Sequence, residues 1–264
     1  MKFPTELWYK VFSFLTQHSQ GRFSCLLNLH GLDAKELKLL CSSYNIWSES
    51  IKNGHAKLMK LLIKNGINVN ISSHFNITAL HQTSMFGYKN CTELLIKAGA
   101  NVNKKDNNNE TALHFATSHG HKDCVELLIK AGTNVNIQDS DGYTALHWAI
   151  RNGHKDCVEL LIKAGTGVNI QDNSGNTALH SESFNGYAEN VELLIKAGAN
   201  VNIQNIHGNI AFDYARTNDK KEIMVILIKS GSKINFPDNN YRNKFIQWSQ
   251  DHGYYEDIIA NLIN

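Results

Sequence analysis

The tetrapeptide Thr-Ala-Leu-His recurs every 33 residues, at 78–81, 111–114, 144–147 and 177–180. The residues around it are copied as well, and the unit reads approximately D-x-x-G-x-T-A-L-H-x-A-x-x-x-G-H-x-x-C-V-E-L-L-I-K-A-G-A-N-V-N-I-Q. A period of this length is typical of chains whose units stack on one another. One such unit cannot bury its apolar side alone, so every copy must present the same packing surface to its neighbours. The period therefore predicts an all-α repeat solenoid.

Counting from Ser73 divides most of the chain into five units with a shorter piece at each end. Residues 45–72 form a partial unit that lacks the hairpin portion, and residues 238–264 form a C-terminal capping unit. Residues 1–44 do not fit the repeat. The five full units are predicted at 73–105, 106–138, 139–171, 172–204 and 205–237.

Each part of the unit has a local physical reason. The threonine can cap a short helix, and the alanines and the leucine supply its buried side. The Gly-His pair ends that helix in a tight turn, because glycine tolerates a left-handed backbone. The stretch CVELLIKAG forms a second helix that closes on glycine. An Asp/Gly turn follows and predicts a projecting β-hairpin finger.

These residues resemble the ankyrin repeat, whose usual pattern is G-x-T-P-L-H followed by two antiparallel helices and a hairpin finger. The resemblance covers about 45–264, and alanine replaces the usual proline at positions 79, 112, 145 and 178. It implies a stack of helix–turn–helix units with β-hairpin fingers, preceded here by a small helical N-terminal segment. It also implies a non-enzymatic protein that binds another protein and needs no cofactor.

In ankyrin proteins the partner contacts the fingers and the end of each first helix. These places vary between the units while the packing residues hardly change, and several hold residue types that dominate interfaces. The alternative is that Phe86 and Phe184 only cover a neighbouring helix. Trp148 directly follows a motif histidine, and we predict it in the core. The predicted partner-binding residues are Phe75, Ile77, Met85, Phe86, His119, Tyr143, Arg151, Asn152, Phe184, Ile206 and His207.

Four histidines at the 33-residue interval suggest metal binding or acid–base chemistry at first sight. Packed helices lie roughly 8–10 Å apart, whereas zinc needs each ligand at about 2 Å. The sequence also lacks a glycine-rich phosphate loop and a G-x-S-x-G motif. The resemblance implies that each histidine bonds to the threonine hydroxyl and nearby backbone. We therefore predict a structural role, with no metal or catalytic site, for His81, His114, His147 and His180.

The segment FPTELWYKVFSFL at 3–15 places apolar residues on one helical face. Its order is similar to the opening of an F-box, and LDAKELKLLCSSYNIW at 32–47 is similar to that family's second half. The resemblance implies docking on the SKP adaptor of a cullin–RING ubiquitin ligase through Pro4, Leu7, Val11, Phe12 and Leu15, with Leu37, Leu40 and Cys41 supporting the small fold. A plain hydrophobic cap and eroded repeats are the alternatives.

Composition limits the remaining classes of function. A net charge of +2 over 264 residues is too small to drive binding to nucleic acid, and no apolar run reaches the about 18 residues of a membrane span. The five cysteines contain no C-x-x-C pair, so neither a disulfide framework nor a zinc site is indicated. Pro4 lies where a secretory leader would need an apolar core, so we do not expect a leader. We expect a cytoplasmic monomer. The Lys-, Asn- and Ile-rich composition suggests an AT-rich genome, so a host-directed role in a host cytoplasm is a further expectation.

The sequence thus predicts a substrate-recognition adaptor that links a protein target to an SKP–cullin–F-box ligase. The alternative is a stand-alone ankyrin protein that masks or tethers a partner and uses residues 1–44 only as a cap.

Overall fold

A computed structural model describes residues 44–234, 236–256 and 258. Residues 1–43, which make up all but the last residue of the F-box-like segment predicted at 1–44, lie outside this range. Thirteen α-helices form in the described part of the chain. They are α1 (Tyr44–Lys52), α2 (Ala56–Lys64), α3 (Ala79–Met85), α4 (Lys89–Lys97), α5 (Ala112–Ser118), α6 (Lys122–Lys130), α7 (Ala145–Arg151), α8 (Lys155–Lys163), α9 (Ala178–Asn185), α10 (Ala188–Lys196), α11 (Ala211–Thr217), α12 (Lys221–Lys229) and α13 (Asn239–Asp251).

The helices come in pairs and the pairs stack. In each period a short first helix (α3, α5, α7, α9 or α11) is followed by a nine-residue second helix (α4, α6, α8, α10 or α12). First helices pack on the first helices of adjacent pairs, and second helices pack on second helices. The pair α1–α2 continues the stack at its N-terminal side. The predicted all-α repeat solenoid is confirmed, and the unit boundaries stay a prediction.

The first helices begin at the threonines, as the sequence predicts. Thr78, Thr111, Thr144 and Thr177 are the N-caps of α3, α5, α7 and α9. The histidine three residues later closes a reciprocal capping box, because its imidazole accepts a hydrogen bond from the N–H of the threonine. In α11 the carboxylate of Asp213 takes this role and accepts from the N–H of Ile210 at 3.0 Å.

A continuous core runs along the stack, made by side chains that recur at the 33-residue interval. Each first helix of the five pairs from α3–α4 to α11–α12 buries at least one large apolar side chain, and each second helix buries a leucine. Burial of this apolar area drives the stacking. The two rows are Leu80, Leu113, Leu146, Leu179 and Phe212, and Leu95, Leu128, Leu161, Leu194 and Leu227.

The fingers are tight turns rather than long strands. In the described residues one isolated β-bridge occurs, between Ser72 and Thr78. Adjacent fingers are nonetheless joined by backbone hydrogen bonds, such as Asn107 N–H to the Phe75 carbonyl at 3.1 Å and Ser140 N–H to the Asn108 carbonyl at 2.9 Å. These bonds fix the fingers relative to one another.

Asparagine side chains join the loops after the second helices. Asn103 Oδ1 accepts from the N–H of Asn134 at 2.8 Å, and Asn136 Oδ1 accepts from the N–H of Gly167 at 2.7 Å. The same bond recurs at three further positions, between Asn101 and Asn70, between Asn200 and Asn169, and between Lys233 and Asn202. Each bond links loops that are 31 residues apart, so it sets the register between adjacent units.

The C-terminal helix α13 covers the last pair. Its N-cap Asp238 accepts from the N–H of Tyr241 at 2.7 Å, and Phe245 is buried against Phe236 with ring centroids 5.7 Å apart. Among the residues with described positions, no helix is long and apolar enough to cross a membrane.

Candidate protein-binding surface

The fingers and the first helices share one solvent-facing surface, which we call the finger face. It carries four large apolar side chains in water: Phe75 (65% exposed), Phe86 (41%), Phe184 (53%) and Ile206 (68%). All four are predicted contact residues. Exposed apolar side chains of this size are candidates for contact with a partner.

The other predicted contact residues divide into two groups. Ile77, Met85 and Tyr143 are half-buried. The polar members of the set are exposed to solvent. They are His119, Arg151, Asn152 and His207.

The centre of the finger face is a cluster around Trp148. The Tyr143 and Trp148 rings meet edge to face with centroids 5.6 Å apart, and the Arg151 guanidinium lies 5.6 Å from each ring centroid. The indole N–H of Trp148 donates to Asp139 Oδ2 at 2.8 Å. The prediction that Trp148 belongs to the core is wrong, because this carboxylate holds the half-buried indole beside the finger.

The position after the motif histidine forms a row along the first helices that the sequence analysis did not select as partner-binding. Its members vary from unit to unit, and all are half-buried along the first helices. That variation was the same signal that selected the helix-end residues. The row consists of Gln82, Phe115, Trp148, Ser181 and Tyr214.

Further aromatic contacts extend the surface on either side. Phe184 meets Tyr214 at 6.4 Å between centroids. The Tyr214 hydroxyl donates to Asn176 Oδ1 at 3.0 Å and accepts from Asn205 Nδ2 at 2.9 Å, which ties the ring to two fingers. Phe86 packs beside Tyr88 at 5.6 Å. Tyr187, which precedes α10, is also exposed, and the sequence analysis did not include it among the predicted contact residues.

The four motif histidines are buried. In His81, His114 and His180 both ring nitrogens have hydrogen-bond partners, whereas Nε2 of His147 has none among the described residues. Nδ1 of His81 lies 2.8 Å from the Thr78 hydroxyl and 3.1 Å from the Thr78 N, and its Nε2 lies 3.0 Å from the Lys104 carbonyl oxygen. Because Nδ1 accepts from a backbone N–H, the proton of the neutral ring belongs on Nε2, which donates to the carbonyl. Burial lowers the pKa of all four imidazoles below 6.5.

The repeated cysteines are buried and separate. Burial raises the pKa of Cys91 and Cys157 to about 11, so these thiols stay protonated. Within residues 44–234, 236–256 and 258, no three His, Cys, Asp or Glu side chains converge as metal ligands would.

One buried group stands out from the repeat. Glu182 occupies the place that Ala149 holds one unit earlier, and it is fully buried. Burial raises the pKa of its carboxyl to about 7, partly offset by a hydrogen bond from Asn190. The sequence shows a glutamate among alanines, but its complete burial comes from the stack.

The comparisons with known proteins agree with this geometry. A family model described as ankyrin repeats (3 copies) matches residues 47–139, 123–205 and 167–240. No curated protein matches the sequence. The three overlapping matches extend over most of the chain and over α2 to α12. The chain therefore belongs to the ankyrin repeat family.

Proposed function

We propose that this protein is a non-enzymatic scaffold that captures a protein target on its finger face. Ankyrin repeats are protein-binding modules. One observation carries the proposal for this chain: at positions that differ between units, Phe75, Phe184 and Ile206 are large apolar side chains exposed on the fingers and first helices, while the repeated leucines fill the core. Packing alone would not require Phe75, Phe184 or Ile206 to face water.

The rigidity of the finger face supports the same function. Backbone bonds between adjacent fingers and asparagine bonds between adjacent loops hold the contact residues in place before a partner arrives. A preformed surface loses less conformational entropy on binding than a mobile one.

As the finer role, the chain is an adaptor that presents its target to an SKP–cullin–F-box ubiquitin ligase in the cytoplasm. The support for this role is the F-box-like order of Pro4, Leu7, Val11, Phe12 and Leu15. Helix α1 packs directly on the repeat stack. An adaptor bound to the residues that precede α1 in the sequence would therefore lie close to a target bound on the repeats. Joining two binding sites in one chain raises the effective concentration of target near the ligase.

The experiment for the adaptor role uses the purified full chain and purified SKP adaptor. Wild type should retain the adaptor, and Leu7→Ala with Phe12→Ala should abolish retention. These changes should leave the repeats folded, because stability in a solenoid comes mostly from neighbouring units. Failure of wild type to retain the adaptor would leave the alternative, a stand-alone binder that masks or tethers its partner.

The experiment for target capture uses the same chain as bait in cell extract. Phe86→Ser and Phe184→Ser together should remove the retained proteins, whereas the matched change Tyr255→Ser, far from the fingers in the chain, should not. Unchanged retention by the double variant would count against the finger face as the capture site.

A further inference from the structure

The first helices carry very little charge. Helices α3 and α5 have no charged residue. In α9 the one charged residue, Glu182, is fully buried, and in α11 Asp213 and Arg216 pair with each other at 3.4 Å. This leaves Arg151 at the end of α7, which is exposed and makes no ion pair within the described chain.

Arg151 is held in place without being neutralised. Its guanidinium lies 5.6 Å from the ring centroids of both Tyr143 and Trp148, within the range of cation–π attraction. The carboxylate of this network has other partners, since Asp139 Oδ2 accepts from the indole of Trp148. Asp139 Oδ1 accepts from the N–H groups of Asp141 and Tyr143 at 2.9 and 2.8 Å. The guanidinium therefore keeps its donors for another molecule.

Apolar side chains accompany this cation. Phe184 stands at the same register one unit later and is 53% exposed. Phe115 stands at the register of Trp148 one unit earlier and is half-buried. A partner that approaches Arg151 therefore also meets aromatic carbon.

We propose that Arg151 recognises a single Asp or Glu side chain of the partner, flanked in the partner by aliphatic or aromatic residues. A planar guanidinium donates two parallel hydrogen bonds to a carboxylate, and the aromatic faces preorganise it for that pairing. A run of acidic residues does not fit, because Asp141 on the finger is exposed and Glu110 on the preceding finger is half-buried. Their negative charges repel a second carboxylate. The inference rests on the proposed capture of a protein by the finger face.

The test uses the immobilised full chain and a display library of random twelve-residue peptides. Selected peptides should be enriched in one Asp or Glu next to an apolar residue. Affinity of those peptides should fall about ten- to hundredfold for Arg151→Gln, which is the scale of a hydrogen-bonded charge pair. Arg151→Lys should recover part of the loss, because it restores the charge without the planar fork.

Arg242→Gln is the matched control, since Arg242 is an exposed arginine on α13, and it should leave affinity unchanged. Thermal unfolding of each variant separates lost binding from lost folding. Peptides without an acidic residue, or affinity that survives Arg151→Gln but not Phe184→Ser, would overturn the inference and leave the capture function standing. Selection of no peptide by the wild-type chain would overturn both.

Discussion

Asn190 Nδ2 donates a hydrogen bond of 2.6 Å to Oε1 of Glu182 inside the repeat stack. The other carboxylate oxygen, Oε2, is buried and has no hydrogen-bond partner among the described residues. One unit earlier the same two places hold Ala149 and Cys157, both buried. The pair Glu182–Asn190 thus replaces an apolar contact with a carboxyl group that prefers to be protonated.

Replacing this pair by that of the preceding unit, Glu182→Ala with Asn190→Cys, should stabilise the protein at neutral pH. The folded-state pKa of Glu182 is raised from 4.5 to about 7, so unfolding releases a proton between these values and stability falls as the pH rises from 4.5 to 7. Ionisation of the buried carboxyl thus costs at most about 3 kcal/mol at pH 8, and this contribution disappears below pH 4.5, where the carboxyl is protonated in both states. The measurement is the free energy of unfolding in urea at pH 4.5, 6 and 8.

The advantage of the double variant over wild type should grow with pH across this window. Glu222→Gln, at an exposed glutamate of α12, should not change the pH profile. An advantage of equal size at pH 4.5 and pH 8 would contradict the raised pKa of Glu182.

The motif histidines should produce the opposite pH dependence. Their folded-state pKa values lie below 6.5 because burial disfavours the imidazolium. As the pH falls below 6.5, the unfolded chain binds protons that the folded chain does not, so stability is lost. In the Glu182→Ala, Asn190→Cys background, the urea midpoint should be lower at pH 5 than at pH 7.5.

The exposed His207 supplies the control, and His207→Gln should leave this slope in place. Nitrogen NMR should show Nε2 carrying the proton at pH 7. A urea midpoint that does not change with pH would refute the prediction.

Gly120→Ala should destabilise more than Gly132→Ala. Both glycines have a left-handed backbone, with φ of 71° and 80°, so both changes cost about 1–2 kcal/mol. A Cβ at Gly120 would also lie 2.5 Å from Nδ1 of His154, whereas one at Gly132 meets nothing within 4 Å. The imidazole of His154 bonds to the Ser118 carbonyl oxygen at 3.2 Å and would have to move.

The extra cost of Gly120→Ala should be about 1 kcal/mol, the scale of one lost hydrogen bond. Thermal unfolding of the two variants measures the difference. Equal losses would show that His154 adapts without cost.

Asp139→Asn should cost more than Asp172→Asn. In both fingers Oδ1 accepts two backbone N–H groups, which an asparagine can reproduce. Oδ2 of Asp139 additionally accepts a hydrogen bond from the indole N–H of Trp148. In asparagine an N–H₂ group replaces this oxygen, and it cannot accept that bond. The unit of Asp172 has Ser181 at the tryptophan position.

The expected difference is about 1 kcal/mol, since one half-buried donor loses its acceptor. Urea unfolding of both variants measures it. The variant Trp148→Phe is the second comparison, because in that background the two asparagine substitutions should cost the same.

Residues whose role depends on local backbone groups could be predicted from the sequence, and those whose role depends on neighbouring units could not. Thr78 and its copies cap helices, and the glycines end them, because these preferences depend on backbone groups within four residues. The period, the order of the helices and the rows of core leucines follow from such local patterns and from their repetition. The F-box-like docking residues Pro4, Leu7, Val11, Phe12 and Leu15 stay a prediction from sequence.

The sequence by itself determined that near-identical helix pairs stack into an ankyrin solenoid, because each unit contains its own caps, turns and apolar faces. The tertiary structure alone decided where Trp148 and Glu182 lie. Trp148 is held beside the finger by Asp139, nine residues earlier, and Glu182 is desolvated by side chains of adjacent units. Both environments depend on how the folded units meet, so helical periodicity does not reveal them.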